Sequence, residues 1–447
     1  MRFFNTAGPV NCADHYCLPP LSRLDLAEVL SLIDQKKYFV LHAPRQTGKT
    51  TCLLALMDYL NREGKYRCVY VNVEMAQSAR QDVRRGMRAI LAELGSMARL
   101  VLGDEFLARS QEEILKTSGE DAALNQALTL WAETNPKPLV LLVDEIDALV
   151  GDTLIAVLRQ LRAGYPQRPA HFAQSVVLCG VRDVRDYRIH SDRDKAIITG
   201  GSAFNIKAES LRLGDLARGE VEALYAQHTA ATGQRFEPAA LEQVWELTHG
   251  QPWLVNALGY EVCFKMKAGR ERSTPITADL MLEAKECLIA RRETHLDQLA
   301  DKLREERVRR VVQAILVGGE APQHIAEDDL QYVTDLGLIR RKPSVAIANL
   351  IYQEVVPRKL TSATQDMLPH ETAWYVSSGG RLDVDKLLAV FQQFFREHSE
   401  SWIERFDYKE AGPQLLLQAF LQRIVNTGGR IEREYGLGRM RTDLLVI

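Results

Sequence analysis

The sequence predicts an α/β protein, with a parallel sheet in its first half, a helical region after it and smaller mixed modules toward the end. Three observations predict this. Short apolar runs alternate with helix-period segments through about residue 190, the pattern of βαβ units on a parallel sheet. One run, Tyr38 to Leu41, leads into Ala43-Pro-Arg-Gln-Thr-Gly-Lys-Thr50 and then a helix-like run from Thr51 to Leu60. Another, Leu139 to Val143, ends in Asp144-Glu145-Ile-Asp147.

Composition sets the bounds. The 447 residues are 46 % hydrophobic and 26 % charged, which is ordinary for globular chains and suggests two to four domains at roughly 150 residues each. The formal net charge of −3 gives no global field for nucleic acid, so any DNA contact needs a local basic patch. Seven scattered cysteines read as free core thiols of a reducing compartment. There is no apolar stretch of about 18 residues or more and no signal-peptide pattern, so a cytoplasmic protein without membrane contact is expected.

The loop at 43–50 carries the chemistry. Strand, tight loop and helix place backbone N–H groups and a helix N-terminus around one point, which makes an anion cradle. Residues Ala43, Pro44, Arg45, Gln46, Thr47 and Gly48 form the loop. Lys49 would reach the β- and γ-phosphates, and the Thr50 hydroxyl would hold Mg²⁺. Ala43 stands where the first glycine of such loops is usual, so the first turn must be one that a Cβ allows. The chain is therefore expected to bind ATP. Hydrolysis also needs an outer carboxylate and a positioned water. Asp144 would hold Mg²⁺ through water and Glu145 would orient the nucleophile, with Asp147 facing solvent.

The remaining strand candidates are Cys68–Val73 and Val176–Cys179. From Leu213 to Lys267 the pattern is helical, broken by Gly250-Gln251-Pro252 before a helix from Trp253 to Lys267. The stretch Lys265 to Thr277 reads as a linker. Two helical segments, Leu303–Leu316 and Asp328–Leu336, precede Gly337 and two strand-like runs, Leu338–Arg341 and Val345–Ile351, the order of a winged helix-turn-helix. Thr361 to Gly380 reads as a second linker. Helices at Val384–His398 and Pro413–Asn426, Gly428-Gly429 and strands at Ile431–Leu437 and Asp443–Ile447 complete the chain.

These motifs resemble those of AAA-type ATPases related to the origin-recognition and STAND proteins, over residues 1–360. The resemblance implies a five-stranded parallel sheet, a helical lid and a winged helix, here 1–210, 211–290 and 296–360. It implies that Thr51 joins the nucleotide loop, and that Tyr16 and Arg23, in and after His15-Tyr-Cys-Leu-Pro-Pro20, contact adenine. It further implies that Pro252 packs on the nucleotide, and that Asp183 or Arg182 at the tip of the fourth strand senses the γ-phosphate. No arginine stands in the lid motif. An arginine finger would come from Arg159, Arg162, Arg168, Arg185 or Arg188 and would act between subunits of a homo-oligomer.

A second resemblance covers 381–447, to the first half of a PD-(D/E)XK nuclease domain. It would make Glu410 and Asp443 metal-binding acids; no Glu-x-Lys follows Asp443 in this sequence, so cleavage is not expected of it alone. Within the winged helix, Arg304, Arg307, Arg309 and Arg310 are basic but Asp328–Leu336 is acidic, which phosphate would repel; Arg340, Arg341 and Lys342 could touch phosphate. The reading is an ATP-hydrolysing switch, with two rivals kept open. One is a nucleotide-gated scaffold with a protein partner; the other is a DNA-binding regulator.

Overall fold

The computed structural model describes residues 1–191, 196–291, 294–316, 325–360, 383–398, 417, 431–437 and 440–446. The chain forms two compact units, residues 1–237 with 250–276 and residues 238–249 with 277–447.

The first unit is built on five parallel strands: β1 (Tyr38–His42), β2 (Arg67–Asn72), β3 (Leu139–Asp144), β4 (Ser175–Gly180) and, after the hairpin β5 (Arg188–Ser191) and β6 (Ala196–Thr199), β7 (Lys207–Arg212). Their order is β2-β3-β4-β1-β7. The four strands expected from apolar runs are buried almost throughout, as strands covered on both faces must be. Side chains alternate between two cores. Tyr38, Val40, Leu141 and Leu178 join one with α3 (Val83–Leu102), α5 (Ala123–Glu133) and α6 (Gly151–Gly164). Phe39, Leu41, Leu142 and Cys179 join the other with α1 (Leu26–Asp34) and α2 (Lys49–Glu63). Parallel pairing aligns the strands' C-terminal ends, with Asn72 opposite Asp144 and His42 opposite Gly180; ligands of open α/β sheets bind at that edge.

In this unit two elements had no sequence signal and two expectations need correction. Strand β7 carries Lys207, Glu209 and Arg212 and is half exposed, so it lacks the apolar run that marked the others. The β5–β6 hairpin interrupts the expected alternation. The helix expected from Trp253 to Lys267 ends as α10 (Pro252–Tyr260) and passes into a π turn at Glu261–Lys265. The supposed linker at 265–277 is bonded in place. Gln234 Nε2 donates to the carbonyls of Gly269, Glu271 and Thr274 at 3.0, 3.1 and 3.0 Å, and Ile276 N donates to Arg235 O at 2.8 Å.

The cysteines also differ from expectation. Cys12 and Cys17 form a disulfide with Cα atoms 5.1 Å apart, whereas Cys52, Cys68, Cys179 and Cys263 are free and buried.

In the second unit α9 (Pro238–Thr248) packs against α11 (Ala278–Ala290) and α15 (Leu350–Leu360). Helices α12 (Thr294–Lys302), α13 (Glu306–Leu316) and α14 (Glu327–Asp335) precede the antiparallel pair β8 (Ile339–Arg340) and β9 (Ala346–Ile347). The strand expected to run to Ile351 stops at Ile347, because the Asn349 side chain accepts from Tyr352 N at 2.9 Å and starts a helix. Beyond α16 (Val384–His398), β10 (Ile431–Leu437) pairs with β11 (Met440–Val446). Strand β11 starts at Met440, ahead of the expected Asp443. Glu410, Thr361–Gly380, Gly428-Gly429 and all of Pro413–Asn426 except 417 lie outside the described residues. No described helix is long and apolar enough to cross a membrane.

Candidate functional site

The loop after β1 begins by extending the sheet: Ala43 N donates to Gly180 O at 3.2 Å. The left-handed conformations fall at Gln46 (φ 58°) and Gly48 (φ 94°), not at Ala43. A Cβ at 43 is therefore unstrained, which accounts for the missing glycine. Thr47 is buried and its hydroxyl donates to Pro44 O at 2.8 Å, closing the turn. Helix α2 then starts at Lys49, with Gly48 as its N-cap, so the helix dipole faces the loop.

Lys49 is 6 % exposed. Its ammonium donates to Ala43 O and Pro44 O, both at 2.9 Å. Those carbonyls hold the charge where phosphate oxygens could replace them. Thr50 Oγ1 donates to Asp144 Oδ2 at 2.6 Å. Asp144 is fully buried and also accepts from Tyr70 Oη at 3.0 Å and Glu145 N at 2.9 Å. Tyr70 was not singled out from sequence, since an aromatic in an apolar strand reads as core.

Glu145 takes a left-handed φ of 57°. Burial first, then the charges of Asp144 and Asp147, push its carboxyl pKa up, against the pull of Lys49 and Arg45. Asp147 does not face solvent as expected. Its Oδ1 accepts from Val181 N at 2.9 Å and lies 3.4 Å from the Tyr187 hydroxyl, so it joins the tips of β3 and β4.

The tip of β4 is otherwise engaged. Asp183 is 4 % exposed and pairs with Lys207 Nζ at 2.5 Å and Arg185 Nη2 at 2.9 Å. Burial opposes its ionisation, but the hydrogen bonds from Lys207 and Arg185 hold its pKa at about 2. A carboxylate so held is an acceptor only, and it would repel a phosphate rather than bind it. The Arg182 guanidinium lies over the Tyr187 ring at 4.9 Å. Among the finger candidates, Arg162 donates to Ser202 O at 3.1 Å and Arg168 stacks on Tyr165 at 3.2 Å.

Beside the loop lies a pocket of about 130 Å³. Tyr16, Arg23, Gln46, Gly48, Thr51 and Pro252 are among its walls. Tyr16 is 1 % exposed, and its hydroxyl meets His228 Nδ1 at 3.1 Å. The Thr51 hydroxyl accepts from Val10 N at 3.0 Å, which draws the N-terminal segment onto α2. Asn5, Thr6, Ala7, Gly8 and Val10 of that segment, with Trp253, also line the pocket. Sequence reasoning missed them, because a wall made of residues some 250 positions apart carries no local signal. Trp253 Nε1 donates to Thr6 O at 2.9 Å.

In the second unit the basic and acidic helices neutralise one another. Arg307 and Arg310 pair with Asp329 at 3.1 and 2.5 Å, and Arg341 pairs with Glu327 at 2.6 Å.

With this geometry in view, residues 33–187 match the family model described as an AAA domain. The fold is similar to a Walker-type ATPase of Pyrococcus abyssi, at 14 % identity and a TM-score of 0.51 over 79 % of this chain and 99 % of that one. More distantly it is similar to Cdc6p from Pyrobaculum aerophilum (14 % identity, TM-score 0.40, 85 % of this chain and 93 % of that one). It is also similar to a RuvB from Thermotoga maritima (15 %, 0.39, 75 % and 94 %). A search of curated proteins gave no match. The match to an AAA domain at residues 33–187 spans strands β1 to β4 of the five-stranded parallel sheet and the 43–50 loop.

Proposed function

We propose that this protein binds Mg²⁺–ATP at the 43–50 loop and hydrolyses it slowly, as a switch. The observation that carries the reading is the 2.6 Å contact between Thr50 Oγ1 and Asp144 Oδ2. It joins the end of the phosphate loop to the acidic end of β3, the two elements that a shared magnesium–nucleotide would need together.

The residues fit the magnesium–nucleotide. A hydroxyl and a carboxylate are the hard oxygen donors that Mg²⁺ prefers, and Mg²⁺ would supply charge neutralisation at the β- and γ-phosphates. The Gln46 and Gly48 kinks turn successive amides to one side as an anion nest. Lys49 exchanges its carbonyl partners for phosphate oxygens. Glu145, its pKa raised by burial and by neighbouring acids, accepts a proton from the attacking water and aligns it. The 130 Å³ pocket with Tyr16 and Pro252 takes the base.

The engagement of Asp183 with Lys207 and Arg185 favours slow turnover over rapid cycling. In our reading the cycle resets the later modules: helices α12–α14 with the β8–β9 hairpin as a winged helix, and the β10–β11 hairpin as part of a nuclease-like fold. Asp443 would be a metal ligand there, with Glu410. The arginine–acid pairs of α13 and α14 support a packing or switching role for the winged helix over direct reading of DNA. Control of a nucleic-acid-directed activity, in the cytoplasm and with a homo-oligomer or protein partner, is the setting this reading favours.

Calorimetry tests the core of it. The wild-type chain should bind ATP with Mg²⁺, and Lys49→Ala should lower the affinity at least tenfold. An absence of ATP binding by the wild-type protein would end the proposal.

A further inference from the structure

The 3₁₀ turn Pro20–Arg23 lies against α2, where the Cys52 thiol donates to Pro20 O at 3.3 Å. From that platform the Arg23 guanidinium forks. Nη1 donates to Thr47 O, and Nη2 donates to Gly214 O at 2.5 Å. The contact is close enough that a Cβ on Gly48 would sit 2.9 Å from Nη1.

The geometry has a consequence for the peptide between Thr47 and Gly48. A trans peptide is planar, so its C=O and N–H point in opposite directions. Drawing Thr47 O toward Arg23 turns the Gly48 N–H away from Arg23. We propose that Arg23 is a positioning residue for phosphate binding: its fork fixes the 47–48 peptide with the Gly48 amide aimed into the cradle, and anchors that peptide to the chain entering α8 (Arg218–Thr232). This role differs from the adenine contact expected at Arg23, and it rests on the ATP-binding reading above. Arginine suits it because two carbonyls need two parallel donors on one rigid plane; lysine offers a single point charge.

An amide held toward phosphate in both ground and transition states contributes uniform binding, so its loss raises KM and leaves kcat nearly unchanged. The test is steady-state ATP hydrolysis by the full chain as wild type, Arg23→Ala and Arg23→Lys, with ATP affinity measured by calorimetry. Arg23→Ala should raise KM and Kd at least tenfold with kcat within twofold, and added guanidinium ion should recover much of the loss. Arg23→Lys should fall between the two, because its donors radiate from one nitrogen and bridge two carbonyls less well than the two separate nitrogens of the guanidinium fork; it also decides the matter if Arg23→Ala does not fold. If wild type binds and hydrolyses ATP while either folded variant matches it in KM, the Arg23 role is overturned and the nucleotide reading stands. If wild type binds no ATP, both fall.

Discussion

Replacing Glu145 by glutamine keeps the shape of the side chain and removes only its charge. The backbone hydrogen bond from Glu145 N to Asp144 Oδ1 at 2.9 Å survives, as does the Thr50–Asp144 contact at 2.6 Å. ATP and Mg²⁺ should therefore bind with affinity within about threefold of wild type. Turnover should fall. A positioned general base contributes about 10²- to 10⁴-fold, or about 2.7–5.5 kcal/mol at 1.36 kcal/mol per tenfold. Stability should move the other way. Burial and the charges of Asp144 and Asp147 raise the Glu145 pKa above its ordinary 4.5, so the folded protein holds this proton more tightly than the unfolded chain does. The carboxylate form thus weakens the fold as pH rises from the ordinary carboxyl range through the raised pKa. Glu145→Gln should accordingly be more stable than wild type at pH 7, with the difference shrinking toward pH 4. A phosphate-release assay with calorimetry and urea melts at both pH values reads all three quantities. Undiminished hydrolysis, or loss of ATP binding in step with activity, would refute the assignment.

Four further outcomes are expected. Thr50→Val removes the hydroxyl that reaches Asp144; it should cost about 1.5–3 kcal/mol in urea melts and abolish the Mg²⁺ dependence of ATP binding. Gly48→Ala forces a Cβ at φ 94°, costing about 1–2 kcal/mol, and displaces Arg23, so ATP affinity should drop by tenfold or more. Asp183→Asn leaves Lys207, whose side chain is 7 % exposed, without its anion, and should lower stability by about 3–5 kcal/mol. In wild type the depressed Asp183 pKa of about 2 gives stability that is present above pH 4 and lost as pH falls toward 2, a limb the variant should lack. Burial lowers the His42 pKa from 6.5 to about 4, so the unfolded chain takes up this proton first; stability should fall from pH 6.5 down to 4, and His42→Asn should flatten that slope.

The parts of the fold legible in the sequence are those with a local physical signature. Strands β1 to β4 are buried on both faces, and that alone demands continuous apolar runs. Gly48, Lys49 and Thr50 with Asp144 and Glu145 are legible because residue type and spacing at the ends of two strands form a local pattern. Strand β7 was not legible, since a half-exposed edge tolerates Lys207, Glu209 and Arg212. The stretch 265–277 reads as linker by composition, and nothing local shows that Gln234 gathers three of its carbonyls. Asn349 caps a helix inside the run read as strand, because Val345 and Ile347 just before it carry the strand pattern. The pocket wall of Asn5–Val10 and Trp253, and the partnership of Asp147 with Val181, depend on contacts across the fold.

The polypeptide passes between its two units three times, at 237–238, 249–250 and 276–277. Helix α9 is a stretch of the second unit inserted within the first, bracketed by two of these passages. The later one leads directly into Gly250-Gln251-Pro252, where Gly250 O accepts from Leu216 N at 2.8 Å and Pro252 lines the pocket. The passage at 249–250 thus lies in the chain directly before the residues that carry Pro252. Scission at a single peptide bond cannot free either unit whole, so dissecting this protein into working halves requires rerouting the backbone, not merely shortening it.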